Sequence, residues 1–184
     1  MVATVVEEAS YQRVARLDPD GQWELHEGQL REKSSMSAEH NDLMAHLGLL
    51  IGVHLPRDRH RLRINAGRLR AGEAVTYIPD LAIIPTDIEA TQRGRGLEVY
   101  DQPLPLVVEI RSPSTGGYDV DTKLPAYRTR GDLEIWRVHP AQRTVTVWRR
   151  RSDGTYDETV ARDGALTVAT VPGVTIDLAT LFGE

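Results

Sequence analysis

The chain has 184 residues, 40% hydrophobic and 27% charged, an ordinary globular composition that suggests one domain able to bury a sizeable core. Cysteine is absent, which excludes disulfides and thiolate metal sites, and the net charge of −5 argues against a domain coated in nucleic-acid-binding charge while leaving room for a local basic groove. No apolar run approaches the ~20 residues of a membrane span, and the opening MVATVVEEAS lacks the basic and apolar regions of a signal peptide, so a soluble cytoplasmic protein is expected.

Residues 1–20 form an N-terminal extension, with a short helix expected around Val5–Val14 and a turn at Asp18-Pro19-Asp20-Gly21. Trp23–Lys33 predicts a β-hairpin turning at Glu27-Gly28. Ser37 to about Leu55 is the clearest helix. Leu43, Leu47, Leu50 and Ile51 fall at helical spacing, Ser37 suits the N-cap, Glu39 suits the positive end of the dipole, and Pro56 marks the stop. His40 shares the inward face of this helix with Met44, Leu47 and Ile51; it is either a core histidine or a group facing a polar site.

Arg57, Arg59, Arg61 and Arg63 alternate, so a strand there would place four guanidinium groups on one side, as a charged edge or as a phosphate-contacting stripe. Ala74–Ile84 predicts a strand carrying Asp80 on the face of Ile78 and Ala82, with Pro79 marking a bulge or an edge. Residues 85–104, with Arg93 and Arg95 among glycines, are expected to be a loop or short helix. Leu106–Val108 leads as a buried strand into Glu109, and the turn-rich Ser112–Gly117 leads into a helix carrying Asp119 and Lys123. Pro125 restricts that helix to a start near Asp121 or Thr122, so that the proline falls in its first turn. Leu133–Val138 and Thr144–Trp148 predict strands, and Asp153-Gly154 predicts a hairpin before Tyr156–Ala161. Asp163-Gly164 makes another turn, and Asp177 caps a final helical turn through Leu181. Many strands with one long early helix and one helix between strands indicate an α/β or mixed α+β domain, its sheet flanked by helices.

A carboxylate inside a buried strand is costly unless paired. Asp80 and Glu109 on neighbouring strands would repel each other unless a proton or cation lies between them, and both are hard oxygen ligands suited to Mg²⁺ or Mn²⁺. A metal so held can ionise a bound water and stabilise charge on phosphorus, and a nearby Lys123 can orient that water, which fits phosphodiester hydrolysis. A structural salt bridge explains the same spacing equally well. Asp119 either bonds Lys123 or caps its helix, the cap being favoured. Tyr127, one turn beyond Lys123, is expected to be a packing residue.

Pro79-Asp80, then Val108-Glu109 with Ser112-Pro113-Ser114-Thr115, then Asp119, Lys123, Tyr127 and Gly131, resemble the Uma-type family of restriction-endonuclease-like proteins in the PD-(D/E)XK nuclease superfamily. The resemblance continues through Glu134-Ile135-Trp136, His139-Pro140 and Pro172-Gly173-Val174, and upstream includes Glu27-Gly28 and Glu39-His40. It implies a restriction-endonuclease-like core with an added N-terminal hairpin. It also implies that Asp80, Glu109 and the backbone carbonyl of Ile110 are metal ligands for Mg²⁺ or Mn²⁺. The superfamily lysine two residues after the acid is Arg111 here, and the resemblance moves the lysine's role to Lys123. Arginine cannot act as a general base, so Arg111 would hold a phosphate or neutralise Glu109, whose strand face it shares. Glu27 and His40 are second-tier candidates, since an acid from the N-terminal region can join such a site. The implied activity is a metal-dependent endonuclease acting on DNA and leaving 5′-phosphate and 3′-hydroxyl ends, with a homodimer expected because two sites cut two strands. The alternative is a catalytically silent nuclease-like module that binds or assembles.

Overall fold

A computed structural model describes residues 6–18, 20–33, 35–112 and 118–183, with side chains omitted for 118–120. The first helix, α1 (Glu8–Leu17), lies later than the expected Val5–Val14; Val5 itself is outside the described residues. Glu8 and Arg16 sit at the dipole ends that favour their charges. The hairpin follows as β1 (Trp23–His26) and β2 (Gln29–Glu32), with Trp23 opposite Glu32 and His26 opposite Gln29. Glu27 and Gly28 have φ of 49° and 76°, the left-handed pair that a two-residue turn of type I′ needs. Helix α2 (Ala38–His54) starts where capping predicts: the Ser37 side chain accepts the His40 N–H at 3.2 Å.

The region Ala74–Ile84 is not one strand. After β3 (His60–Ile64) and β4 (Arg68–Arg70), the chain makes β5 (Thr76–Tyr77), breaks at Ile78-Pro79-Asp80, and resumes as β6 (Leu81–Pro85). The two pieces belong to different sheets. Proline has no N–H to give a ladder, so the strand leaves one sheet there and joins the other. Residues 85–104 supply α3 (Thr86–Ala90) and β7 (Val99–Tyr100). The central strand β8 (Leu106–Ile110) leads toward α4 (Tyr118–Arg130), which begins earlier than Pro125 suggested. The proline therefore sits inside the helix, where the Asp121 carbonyl loses its N–H partner; both residues are exposed, so water can take its place. Of the loop between β8 and α4, residues 113–117 lie outside the described set, as does the Asp119 side chain and with it the choice between cap and Lys123 partner. The chain ends with β9 (Glu134–His139), β10 (Thr144–Arg150), β11 (Tyr156–Ala161), β12 (Ala165–Thr167), β13 (Thr175–Asp177) and α5 (Leu178–Phe182), which Asp177 caps by accepting the Thr180 N–H at 2.7 Å.

The larger sheet has the order β11-β10-β9-β8-β6-β3, antiparallel except for the β8–β9 pair that α4 connects. The smaller has the order β2-β1-β5-β4-β7. Alternation along β8 separates two cores. Leu106, Val108 and Ile110 join Leu47, Ile51, Leu81, Ile83 and Trp136 beneath α2 and α5. Val107 faces the other way, with Ala82, Ile84, Ile135, Tyr77 and Tyr127. Glu109 takes the Val107 side by period two, and so points into the space between the larger sheet, α4 and the smaller sheet. Gly48 brings α2 close to β3: a Cβ there would lie 2.5 Å from Ile64 Cδ1. No described helix is long and apolar enough to cross a membrane.

Candidate functional site

The break between β5 and β6 frees backbone groups that a continuous strand would pair, and carboxylates pick them up. Glu24, on β1, accepts the Ile78 N–H at 2.7 Å. Asp80, just before β6, accepts the Ile110 N–H on Oδ2 at 2.7 Å, while its own carbonyl accepts the Asn65 N–H at 2.6 Å. The β6–β8 register, Leu81 opposite Val108, brings Asp80 level with Glu109 when continued by one residue.

Two lysines enter this centre. Lys33, just beyond β2, donates to Asp80 Oδ1 and Asn65 Oδ1, each at 2.8 Å. Lys123, on α4, donates to Glu24 Oε1 at 2.8 Å and lies 3.5 Å from Glu109 Oε1. Its ammonium also sits 5.5 Å from the centroid of the Tyr77 ring. The Tyr127 hydroxyl donates to Glu109 Oε1 at 2.5 Å. His40, in the first turn of α2, places Nε2 3.2 Å from Asp80 Oδ2 as an ion pair, and its Nδ1 has no hydrogen-bond partner among the described residues.

The centre is dry. The side chains of Asp80, Glu109 and Lys123 are 1%, 5% and 3% exposed. Burial works to raise the Asp80 carboxyl, but Lys33 and His40 outweigh it and hold Asp80 below the usual carboxylate range. Glu109 goes the other way. Burial pushes it up to about 7; Lys123 opposes that shift and the Asp80 charge adds to it. Burial also works against the Lys123 ammonium, and the Glu109 and Glu24 carboxylates reverse the effect and raise it. Burial, then Glu109, push the Tyr127 hydroxyl well above its ordinary range, so it remains a donor. Three acids thus face two lysines, and Glu109, raised chiefly by its burial, is the acid that holds its proton longest.

The family model described as "Uma2: Putative restriction endonuclease" matches residues 9–179. The chain belongs to the Uma2 family. Among solved structures it resembles a crystal structure from Anabaena variabilis ATCC 29413, titled as a putative nuclease belonging to DUF820. The two share 18% identity and a TM-score of 0.72 over 87% of this chain and 89% of that one, a likeness of fold. No curated protein matches the chain. Family and fold together support a nuclease function.

In this Uma2 chain the fold draws Asp80, Glu109, Lys123 and His40 into one buried centre. It leaves Glu27 out. Glu27 is exposed at the tip of the hairpin, and the acid that β1 contributes is Glu24, three residues earlier. Alternation along Trp23–His26 hides Glu24, because β1 is covered on both faces: Leu25 packs with Tyr11 of α1, while Glu24 turns inward. Lys33 carried no signal beyond a charge at the end of a strand. Tyr127, expected to pack only, also holds Glu109. Arg111 lies exposed beyond β8, where its N–H bonds the Val138 carbonyl and its side chain lines a cleft with His139 and Pro140; the cation facing Glu109 is Lys123. The arginine stripe is divided. Strand β3 starts at His60, so Arg57 and Arg59 sit in the preceding turn and only Arg61 and Arg63 share a strand face. Arg63 is taken up by Glu98 at 2.6 Å and Glu89 at 3.3 Å.

Among the described residues no three His, Asp or Glu side chains converge at metal-ligand spacing. The donor chemistry nonetheless fits one divalent cation at the Asp80 end. Hard carboxylate oxygens stand there beside the buried His40 imidazole, and the centre holds three acids against two lysines. A dication together with one phosphate charge would bring that balance from one negative charge to neutral.

Proposed function

We propose that this Uma2 chain is a metal-dependent deoxyribonuclease whose centre is Asp80, Glu109 and Lys123. One observation carries the reading: two buried carboxylates, Asp80 just before β6 and Glu109 on β8, meet a lysine from the following helix in a buried centre whose acids outnumber its lysines. Such charge is costly to keep as mere structure and is suited to a cationic ligand.

Asp80, Glu109 and the Ile110 carbonyl would hold Mg²⁺ or Mn²⁺, and a cation bound there supplies Lewis acidity and an ionised water for attack on phosphorus. Tyr127 fixes Glu109 by donating to Oε1, and Ile110 fixes Asp80 through its N–H. Lys123, anchored on Glu24, is positioned to orient the attacking water and to offset charge growing on the phosphate. Exclusion of water strengthens both effects. Arg57, Arg59 and Arg61 are the side chains proposed to contact the DNA backbone, since Arg63 is engaged with acids.

The test is cleavage of supercoiled and linear DNA by the full chain with Mg²⁺ or Mn²⁺. Wild type is expected to cut, leaving 5′-phosphate and 3′-hydroxyl ends, and Glu109→Gln to lose activity by about a hundredfold or more. A folded wild type that cuts no DNA with either metal overturns the proposal. It would favour the silent binding module, a reading supported by the lysine already paired with each carboxylate.

A further inference from the structure

We infer that Arg137, together with Arg111 and His139 at the C-terminal ends of β8 and β9, forms a subsite for a DNA backbone phosphate next to the one that reacts at Asp80 and Glu109. The inference rests on the deoxyribonuclease reading above and adds where the neighbouring nucleotide is gripped.

The sheet places these three groups beside the centre. Strands β8 and β9 run parallel, with Glu109 level with Arg137 and Ile110 with Val138. The Arg111 N–H continues the ladder onto the Val138 carbonyl at 2.9 Å, which sets Arg111 level with His139. Side chains alternate along a strand, so Arg111, Arg137 and His139 fall on the Glu109 face, the face on which Ile135 packs with Val107 and Tyr127. Arg111 and His139 line one cleft of about 180 Å³ with Ser112 and Gln142. The arginines around the start of β3 stand elsewhere. His60 pairs with Pro85, about five residues and roughly 17 Å along β6 from Asp80. They meet DNA further from the reacting phosphate.

Arg137 is prepared for an anion. Its side chain is 25% exposed against 5% for Glu109, so it stands between the dry centre and water. Its guanidinium lies 5.5 Å from the centroid of the Trp148 ring, and that indole N–H is fixed on Glu158 Oε2 at 2.7 Å. Stacking on a fixed ring orients the planar fork. Nε is buried and has no hydrogen-bond partner among the described residues. The guanidinium pairs with Asp121 at 3.0 Å, but that carboxylate is 67% exposed, and an ion pair so open to water is weak enough to give way to a phosphate. Burial, then the charges of Arg137 and Arg111, lower the His139 imidazole, so at neutral pH it is an uncharged N–H donor. Two guanidinium groups and a neutral donor, opposed by one exposed acid, suit the charge-assisted recognition of a phosphodiester.

The experiment is fluorescence-anisotropy titration of a duplex oligonucleotide with the full chain, in Ca²⁺ to hold off cleavage and over a series of salt concentrations. It compares wild type with Arg137→Gln, Arg111→Gln and Arg151→Gln. The last is the charge control, because Arg151 follows β10 at the end of that strand away from His139 and pairs with Asp157. Arg137→Gln and Arg111→Gln should each weaken binding about fivefold or more and reduce the slope of log affinity against log salt by roughly one, while Arg151→Gln changes neither. Arg137→Lys keeps the charge and loses the fork, so it should restore the slope and only part of the affinity. If Arg137→Gln does not fold, Arg111→Gln still decides, since that side chain is exposed. Slopes equal to wild type in the folded variants overturn the inference, as does an equal loss in Arg151→Gln, or a folded wild type with no affinity for DNA. Loss of slope in a protein that cuts no DNA with Mg²⁺ or Mn²⁺ keeps the subsite and removes the nuclease; cleavage by wild type with variant slopes unchanged does the reverse. Where wild type cuts, Arg137→Gln should raise KM and leave kcat at saturating DNA unchanged, as the loss of uniform binding requires.

Discussion

Two clusters of buried charge lie toward opposite ends of α4, and they are built differently. Near its C-terminus Arg130 and Asp132 pair at 3.0 Å, with side chains 1% and 0% exposed. Arg130 also donates to the carbonyls of Arg70, Tyr100 and Gln102, and Asp132 accepts the Leu104 N–H at 2.8 Å. This guanidinium is permanently charged and has its donors spread over four residues, so it clamps the smaller sheet to the segment that enters β8. Nearer the N-terminal part of α4, Lys123 serves acids that outnumber the ammonium groups, beside an imidazole whose Nδ1 has no hydrogen-bond partner among the described residues. Burial and charge alone therefore do not mark a functional site. What separates the clusters is whether their polar groups are already satisfied.

Breaking the clamp should have the largest effect on folding. Arg130→Ala leaves Asp132 buried without its cation and should cost about 3–5 kcal/mol in urea denaturation. A loss under about 1 kcal/mol would show that the clamp is not structural.

The second test uses pH. In the metal-free protein Glu109 keeps its proton to about pH 7, whereas its ordinary value is 4.5. Between those values the unfolded chain has released a proton that the folded chain still holds, so stability falls as pH rises, by about 3 kcal/mol over the window. Glu109→Gln should flatten that slope in chemical denaturation between pH 4.5 and 7; an unchanged slope would assign it elsewhere. Asp80 acts in the opposite sense, its contribution being present above its ordinary 3.8 and lost as pH falls further.

Tyr127→Phe should be milder. It removes the 2.5 Å hydrogen bond to Glu109, costs about 1 kcal/mol, and moves the Glu109 midpoint upward because that bond favours the carboxylate. A midpoint that stays in place by carboxylate NMR would show that Tyr127 only packs. The smallest change expected is Glu27→Asn, at the hairpin tip. Asparagine tolerates φ of 49° better than glutamate, so stability should shift by no more than about 0.5 kcal/mol, with metal titration and DNA cleavage unchanged. A loss of either would bring Glu27 back to the site.

Much of this was legible locally. The Glu27-Gly28 turn, the Ser37 cap, the apolar period of α2 and the Asp177 cap depend on residues a few positions apart, and the chain forms them where pattern and capping chemistry indicate. The Pro79-Asp80, Glu109 and Lys123 motif pointed to one centre, and the fold assembles it from the break before β6, from β8 and from α4. Sequence by itself thus determined the element types, the acid–acid–lysine constellation and the family. Tertiary structure decided the rest. Pro79 divides a run that alternation reads as one strand, because β5 and β6 pair in different sheets. Glu24 rather than Glu27 meets Lys123 because β1 is buried on both faces, and Lys33 reaches Asp80 across 47 residues. Charge compensation in a dry centre depends on which groups meet in space, and no local pattern encodes those meetings.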